Sequence, residues 1–123
     1  MLYASPNMPE KMLKFVKLGQ QNPPKREILE RKEDFNEIYK EFINEKAKEQ
    51  SSRCSQCGVP FCQIHCPLSN NIPDWLKLTA EGRLKEAYEL AQSTNNMPEV
   101  CGRICPQDKL CEGNCVIEKS GHG

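Results

Sequence analysis

The eight cysteines of this 123-residue chain fall into two groups. The first reads C-x2-C-x4-C-x3-C-P, from Cys54 through Cys57 and Cys62 to Cys66 and Pro67. The second reads C-x3-C-x5-C-x3-C, through Cys101, Cys105, Cys111 and Cys115. Thiolates bind soft metals, so spacing decides which metal centre they suit. Zinc modules usually bring two close pairs divided by a dozen or more residues, and only Cys54 and Cys57 form such a pair here. Cys54, Cys57 and Cys62 lie within nine positions, which suits a loop wrapped round one iron-sulfur cubane, because a cubane presents several irons to one turn of chain.

Cys66 stands differently. Proline fixes its own backbone and pushes the preceding residue out of the helical region, so Pro67 turns Cys66 away from its three predecessors. The ferredoxin-type run C-x2-C-x2-C-x3-C-P has the same logic, and its fourth cysteine ligates the other cluster. If Cys66 leaves, the first cluster takes a fourth thiolate from the second group and the second cluster accepts Cys66. Such crossed ligation would fasten together two loops separated by 34 residues. Four thiolates per cubane divide eight cysteines into two clusters. A zinc-stabilised interaction module and an oxidised disulfide domain are the competing readings.

Bulk properties narrow the function classes. Seventeen basic residues balance seventeen acidic ones, so the overall field favours neither nucleic acid nor an anionic membrane. No apolar run reaches the about 20 residues needed to span a bilayer, and "MLYASPNMPEKMLKF" lacks the apolar core of a secretion signal. The reading is cytoplasmic, where thiols stay reduced and clustered cysteines bind metal rather than pair. With 37% apolar and 28% charged residues, the chain would gain stability from a cofactor that ties its loops.

The elements that must position the thiols read as mainly α. Residues 1–25, with Pro6, Pro9, Pro23 and Pro24, form an extended arm with a helical turn or two over Met12, Leu13, Phe15, Val16 and Leu18, ended near Gly19. From Arg26 to Glu49, Leu29, Phe35, Ile38, Tyr39, Phe42, Ile43 and Ala47 recur at three- and four-residue steps, predicting one amphipathic packing helix. Asn70 or Asn71 caps a helix starting near Pro73 and closed by Gly82. A further helix over Arg83–Gln92 buries Leu84, Ala87, Tyr88 and Ala91, and "STNNMP" ends it. Trp75 reads as a core aromatic shielding a cysteine loop. No segment alternates as a strand would.

At "RCSQCGVPFCQIHCPLSNNIPDWL" and "STNNMPEVCGRICPQDKLCEGNCV" the chain resembles the N-terminal iron-sulfur domain of the glutamate synthase small (β) subunit. That domain is shared with dihydropyrimidine dehydrogenase and related NAD(P)H-linked flavoproteins. The opening "FVKLGQQNPPKREILERKEDFNEIY" is similar too, so the resemblance covers nearly the whole chain. It implies an α-helical ferredoxin fold over residues 26–123 with two 4Fe-4S clusters. It also implies that Cys54, Cys57, Cys62 and Cys115 hold one cluster and Cys66, Cys105 and Cys111 the other. The family's remaining ligand, an acidic or amide side chain, would fall at position 131, past Gly123. FAD and NADPH would bind in a following reductase region and a large (α) subunit would accept the electrons, to make glutamate from glutamine and 2-oxoglutarate. On that reading this stretch relays electrons and has no catalytic site of its own.

Several residues stay open at this stage. Cys101 matches a position that is not a ligand in the relatives, which leaves it a spare buried thiol or a substitute ligand. His65 is read as a loop histidine hydrogen-bonded to backbone rather than a ligand, and His122 as solvated. Arg53 and Arg103 are either cations that favour a reduced cluster or surface arginines. No strand-G-x-G-x-x-G-helix unit occurs, and "GHG" at 121–123 reads as a linker.

Overall fold

The computed structural model describes residues 11–42 and 44–123. Its α-helices are α1 (Ile28–Glu33), α2 (Asn44–Ser51), α3 (Phe61–Ile64), α4 (Ile72–Ala80), α5 (Leu84–Ser93) and α6 (Pro98–Ile104). Single 3-10 turns cover Lys14–Val16 and Val116–Ser120. Among the described residues there is no strand, only an isolated antiparallel bridge between Lys25 and Tyr39, so the fold class is all-α.

The centre is the α4–α5 pair, against which α2 and α3 also pack on α4. Pro73 sits in the first turn of α4, where its missing N–H costs nothing. The two asparagines before it brace neighbours instead of capping. Asn71 Oδ1 accepts from Gln63 Nε2 at 3.2 Å, and Asn70 Oδ1 accepts from Thr94 Oγ1 at 2.6 Å. Gly82 reverses the chain between α4 and α5 at φ 80°, a left-handed conformation that glycine adopts without a Cβ penalty. Lys48 of α2 lies against it, where a Cβ would come within 2.9 Å of the lysine Cε.

The buried apolar core among the described residues is Ala80, Ala87 and Ile117. Small side chains let α4 and α5 approach closely, but so thin a core leaves much of the fastening to the cysteine loops. On α5 the expected stripe narrows to Ala87 and the half-buried Ala91. Leu84 and Tyr88, expected inside, flank Ala87 at the stripe's edges and are exposed. Trp75 is half-buried on α4.

The predicted helix over 26–49 is not formed. α1 stops at Glu33 and α2 begins at Asn44, with an extended stretch between; Ile43 lies outside the described residues. Asp34 breaks the helix. Both its carboxylate oxygens accept from the Arg26 guanidinium, at 3.1 and 2.7 Å, and one also accepts from the Asn36 N–H at 3.0 Å. These partners, Arg26 first, hold its carboxyl well below the usual range, at about 2. Arg26 N donates to Ile38 O at 2.8 Å and Lys40 N to Pro24 O at 2.7 Å, so residues 24–40 fold back on themselves. The apolar residues that suggested a packing face point outward: Leu29 is 76% exposed and Phe35 fully so. A local side-chain to backbone bond here outweighs a helical period.

The described part of the opening segment lies along the end of α2. Leu13 N donates to Cys54 O at 3.1 Å and Lys14 N to Ser52 O at 2.9 Å. Further along, Gln21 N donates to Gln50 Oε1 at 2.9 Å, and Gln50 Nε2 to Gly19 O at 3.2 Å. Residues 121–123 are not a loose linker either. Their carbonyls accept from Arg53, and Gly123 N donates to Glu118 Oε2 at 2.6 Å.

Candidate metal centre

The first cysteine loop leaves α2 through Ser51, Ser52 and Arg53, all buried. Cys54 follows, and the next two residues turn the chain around its sulfur. Gln56 takes φ 53°, a left-handed conformation uncommon outside glycine and asparagine. It aims its backbone N–H and its side-chain Nε2 at Cys54 Sγ, at 3.4 and 3.3 Å. The second hydrogen of that amide goes to Pro73 O on α4, at 2.8 Å. Ser55 Oγ lies 2.9 Å from Cys57 Sγ. Pro60 then starts α3, which carries Cys62, and Cys66 follows its end.

The second loop leaves α6 at Cys105, which is extended. Gln107 O accepts from Glu112 N at 2.9 Å and Gly113 N at 3.3 Å, and Asn114 Nδ2 donates to Leu110 O at 2.8 Å. This tight coil needs glycine at 113, because a Cβ there would run into the Asp108 carbonyl. It delivers Cys115 beside the first loop. Gly123 packs on the other side, where a Cβ would stand 2.8 Å from that of Cys115.

The thiols sense one another across the two loops. Burial pushes the Cys54 thiol up; Gln56 offsets this, and the charges of Cys57 and Cys115 add to it. The Cys62 thiol is pushed up to about 11, by burial first, then by Cys54, Cys115 and Cys111, against the Gln63 N–H. Cys111 is raised by burial, Glu112 and Cys105, against the Glu112 N–H. By these charges Cys54 is linked to Cys57 and Cys115, Cys62 to Cys54, Cys115 and Cys111, and Cys111 to Cys105.

The remaining candidates sit as follows. Cys66 is half-buried, and its carbonyl accepts from Ser69 N at 2.9 Å in the turn after Pro67. Cys101 lies in α6, and its Sγ accepts from Nδ2 of the buried Asn95 at 3.2 Å. His65 and His122 are exposed. Arg103 is exposed, pairs with Glu37 and lies 5.6 Å over the Tyr39 ring, so it anchors the 24–40 fold-back to α6. Arg53 is only 8% exposed and bonds to backbone carbonyls, which removes the surface alternative of its two readings. Gln56, Ser55 and Asn95 carry no sequence signal of their own beyond their place beside cysteines.

The family model of dihydropyrimidine dehydrogenase domain II, 4Fe-4S cluster, matches residues 31–123. The chain belongs to this family of 4Fe-4S cluster domains. Within it, the chain is 69% identical to the glutamate synthase (NADPH) small chain of Azospirillum brasilense over 114 residues, covering 93% of this chain and 24% of the relative. Against the Escherichia coli small chain the identity is 50% over 110 residues, with 89% and 23% covered. Against that of Bacillus subtilis it is 41% over 112 residues, with 84% and 22% covered. The chain therefore spans about a quarter of the length of the curated relatives it matches.

The residues present fit a 4Fe-4S group. A cubane takes four thiolates at its corners, and N–H donors at the sulfurs favour its ligated form. Gln56 supplies two such donors to Cys54. Among the described residues no three Cys, His, Asp or Glu side chains converge on a single-ion position.

Thiols must lose their protons to bind iron, and a raised pKa keeps them protonated at neutral pH. In the iron-free folded chain at pH 8, Cys62 is therefore alkylated by iodoacetamide more slowly than in the same chain in urea. Its rate keeps climbing until about pH 11, where the raised pKa lies. Equal rates in both states, read by mass spectrometry, contradict this.

Proposed function

We propose that this chain is the electron-relay domain of a glutamate synthase small subunit, with residues 26–123 holding two 4Fe-4S clusters. Cys54, Cys57, Cys62 and Cys115 hold the first cluster. Cys66, Cys105 and Cys111 hold the second, with its remaining ligand supplied from beyond Gly123, and Cys101 is a spare thiol. The observation that supports this reading is that the charge of Cys115 acts on both Cys54 and Cys62, across two loops far apart in sequence.

When bound, the clusters pass single electrons. The protein's part is to hold their thiolates on two loops joined side by side and to shield them with α4. An open cleft of about 570 Å³ beside Cys115, walled by Phe61, leaves one edge of the site accessible to a neighbouring redox group. In the whole enzyme, NADPH and FAD bound by the rest of the chain supply the electrons, and the large subunit uses them to make glutamate from glutamine and 2-oxoglutarate. The small chains named above support that assignment. The described helices include none long and apolar enough to cross a membrane, which accords with a cytoplasmic enzyme.

Anaerobic purification tests the proposal. The expected protein is brown, with broad absorption near 400 nm and about eight irons and eight sulfides per full-length chain. A colourless anaerobic preparation holding about two zinc ions supports the interaction-module reading instead.

A further inference from the structure

We propose that Gln56 sets the reduction potential of the first cluster by directing two N–H donors at Cys54 Sγ while anchored to α4. This rests on the assignment of Cys54 as a ligand of that cluster. The geometry is specific. The backbone N–H and the side-chain Nε2 of one residue both reach the same sulfur, at 3.4 and 3.3 Å. The amide's other hydrogen is committed to Pro73 O at 2.8 Å, so the side chain is held at the sulfur rather than swinging in solvent. Pro73 is itself buried in the first turn of α4, which makes the anchor rigid.

The backbone is bent to allow this. Gln56 lies at φ 53°, where a side chain bearing a Cβ is disfavoured, and sites that keep such strain tend to use it. In that conformation its backbone N–H and its side-chain amide both reach the Cys54 sulfur. Ser55, the other residue of the turn, places its Oγ 2.9 Å from the neighbouring sulfur of Cys57. Both intervening residues of the Cys54–Cys57 turn therefore face ligand sulfurs.

The consequence is electrostatic. One-electron reduction adds negative charge that spreads onto the thiolate sulfurs, and hydrogen bonds to those sulfurs favour the more negative form. Gln56 thereby raises the midpoint potential of the cluster it touches. Because it bonds Cys54 alone among the cysteines, the effect belongs to the first cluster and not to the one built on Cys105 and Cys111.

The test is an EPR-monitored redox titration of the anaerobic full-length holoprotein carrying Gln56→Met or Gln56→Glu. Methionine keeps the length and the φ strain but removes the side-chain donor; glutamate adds a charge that repels the sulfur. Both are expected to keep the full iron content, with the first midpoint falling in the order Gln, Met, Glu and the second unmoved. Midpoints equal to the parent's at full iron content overturn the proposal. So does loss of the first cluster in both variants, which would make Gln56 an assembly residue. Cys54→Ala in the same background tests the underlying assignment separately: survival of the first signal there breaks the ligand reading itself.

Discussion

On the proposed two-cluster assignment, Cys115→Ala is expected to lower the iron of the full-length protein from about eight to about four per chain, and the EPR signal that disappears should be the one also lost in Cys54→Ala. The reason lies in the fold. Cys115 is delivered to the first loop by the coil from Cys105 to Asn114, and its charge acts on both Cys54 and Cys62. Removing one thiolate from a four-thiolate cage leaves an iron without its protein ligand. Because the missing ligand comes from the other loop, the joint between the loops is lost with it. The matching experiment runs from the opposite side: Cys66→Ala should silence the same signal as Cys105→Ala. Cys101→Ser is the control, with both signals and all the iron retained, since Cys101 lies outside the proposed ligand set. Iron retained in Cys115→Ala, or a Cys115 signature that pairs with Cys66, breaks the crossed arrangement.

The 4Fe-4S character of the domain was legible from spacing, because a C-x2-C-x4-C run suits a loop wrapped round a cubane better than the two separated pairs of a zinc module. The α4–α5 hairpin was legible for a similar reason, since Pro73, Gly82 and the Asn-rich end each fix a boundary by backbone chemistry. The segment from Arg26 to Glu49 was not. Its apolar residues recur with a helical period, yet the decision is made by Asp34, whose two oxygens accept from Arg26 and Asn36 and stop the helix after Glu33. Periodicity reports which residues could share a face, not whether another element exists to cover it. Leu29 and Phe35 satisfy the pattern and remain outside.

Second-sphere groups were the least legible part of the site. Nothing in the letters of "CSQC" distinguishes Gln56 from any polar spacer, because its role depends on a left-handed backbone and on Pro73 arriving 17 residues later. Arg53 is a comparable case. As a sequence feature it is one arginine before a cysteine; as a structural one it is a buried cation held by the two ends of the described chain.

Arg53→Met is expected to release both of those ends while leaving the helices in place. The Nε–H donates to Leu18 O at 2.8 Å, one Nη to His122 O at 2.7 Å and the other to Gly123 O at 3.5 Å. Among the described residues the guanidinium meets carbonyls and no carboxylate, so its charge is stabilised only by these oriented dipoles. Methionine fills the stem but leaves the carbonyls without a donor. Hydrogen bonds to charged groups are worth about 1.5–3 kcal/mol, and carbonyls near the ends can rehydrate, so a net loss of about 2 kcal/mol is reasonable. That corresponds to a roughly thirtyfold rise in the population with the ends detached. When opening is fast relative to cleavage, proteolysis follows that population, so trypsin should cut after Lys14, Lys17 and Lys119 faster by the same factor. Arg53→Lys should fall between, because one ammonium cannot reproduce three donors held in a fixed planar fork. Gly123 packs against Cys115, so release of that end also loosens the ligand that joins the loops, and the first cluster should be lost to chelator sooner than the second. Unchanged cleavage in Arg53→Met would show that the ends are held without Arg53, by the Gly123–Glu118 bond and the ties of Leu13, Lys14, Gly19 and Gln21 to residues 50–54.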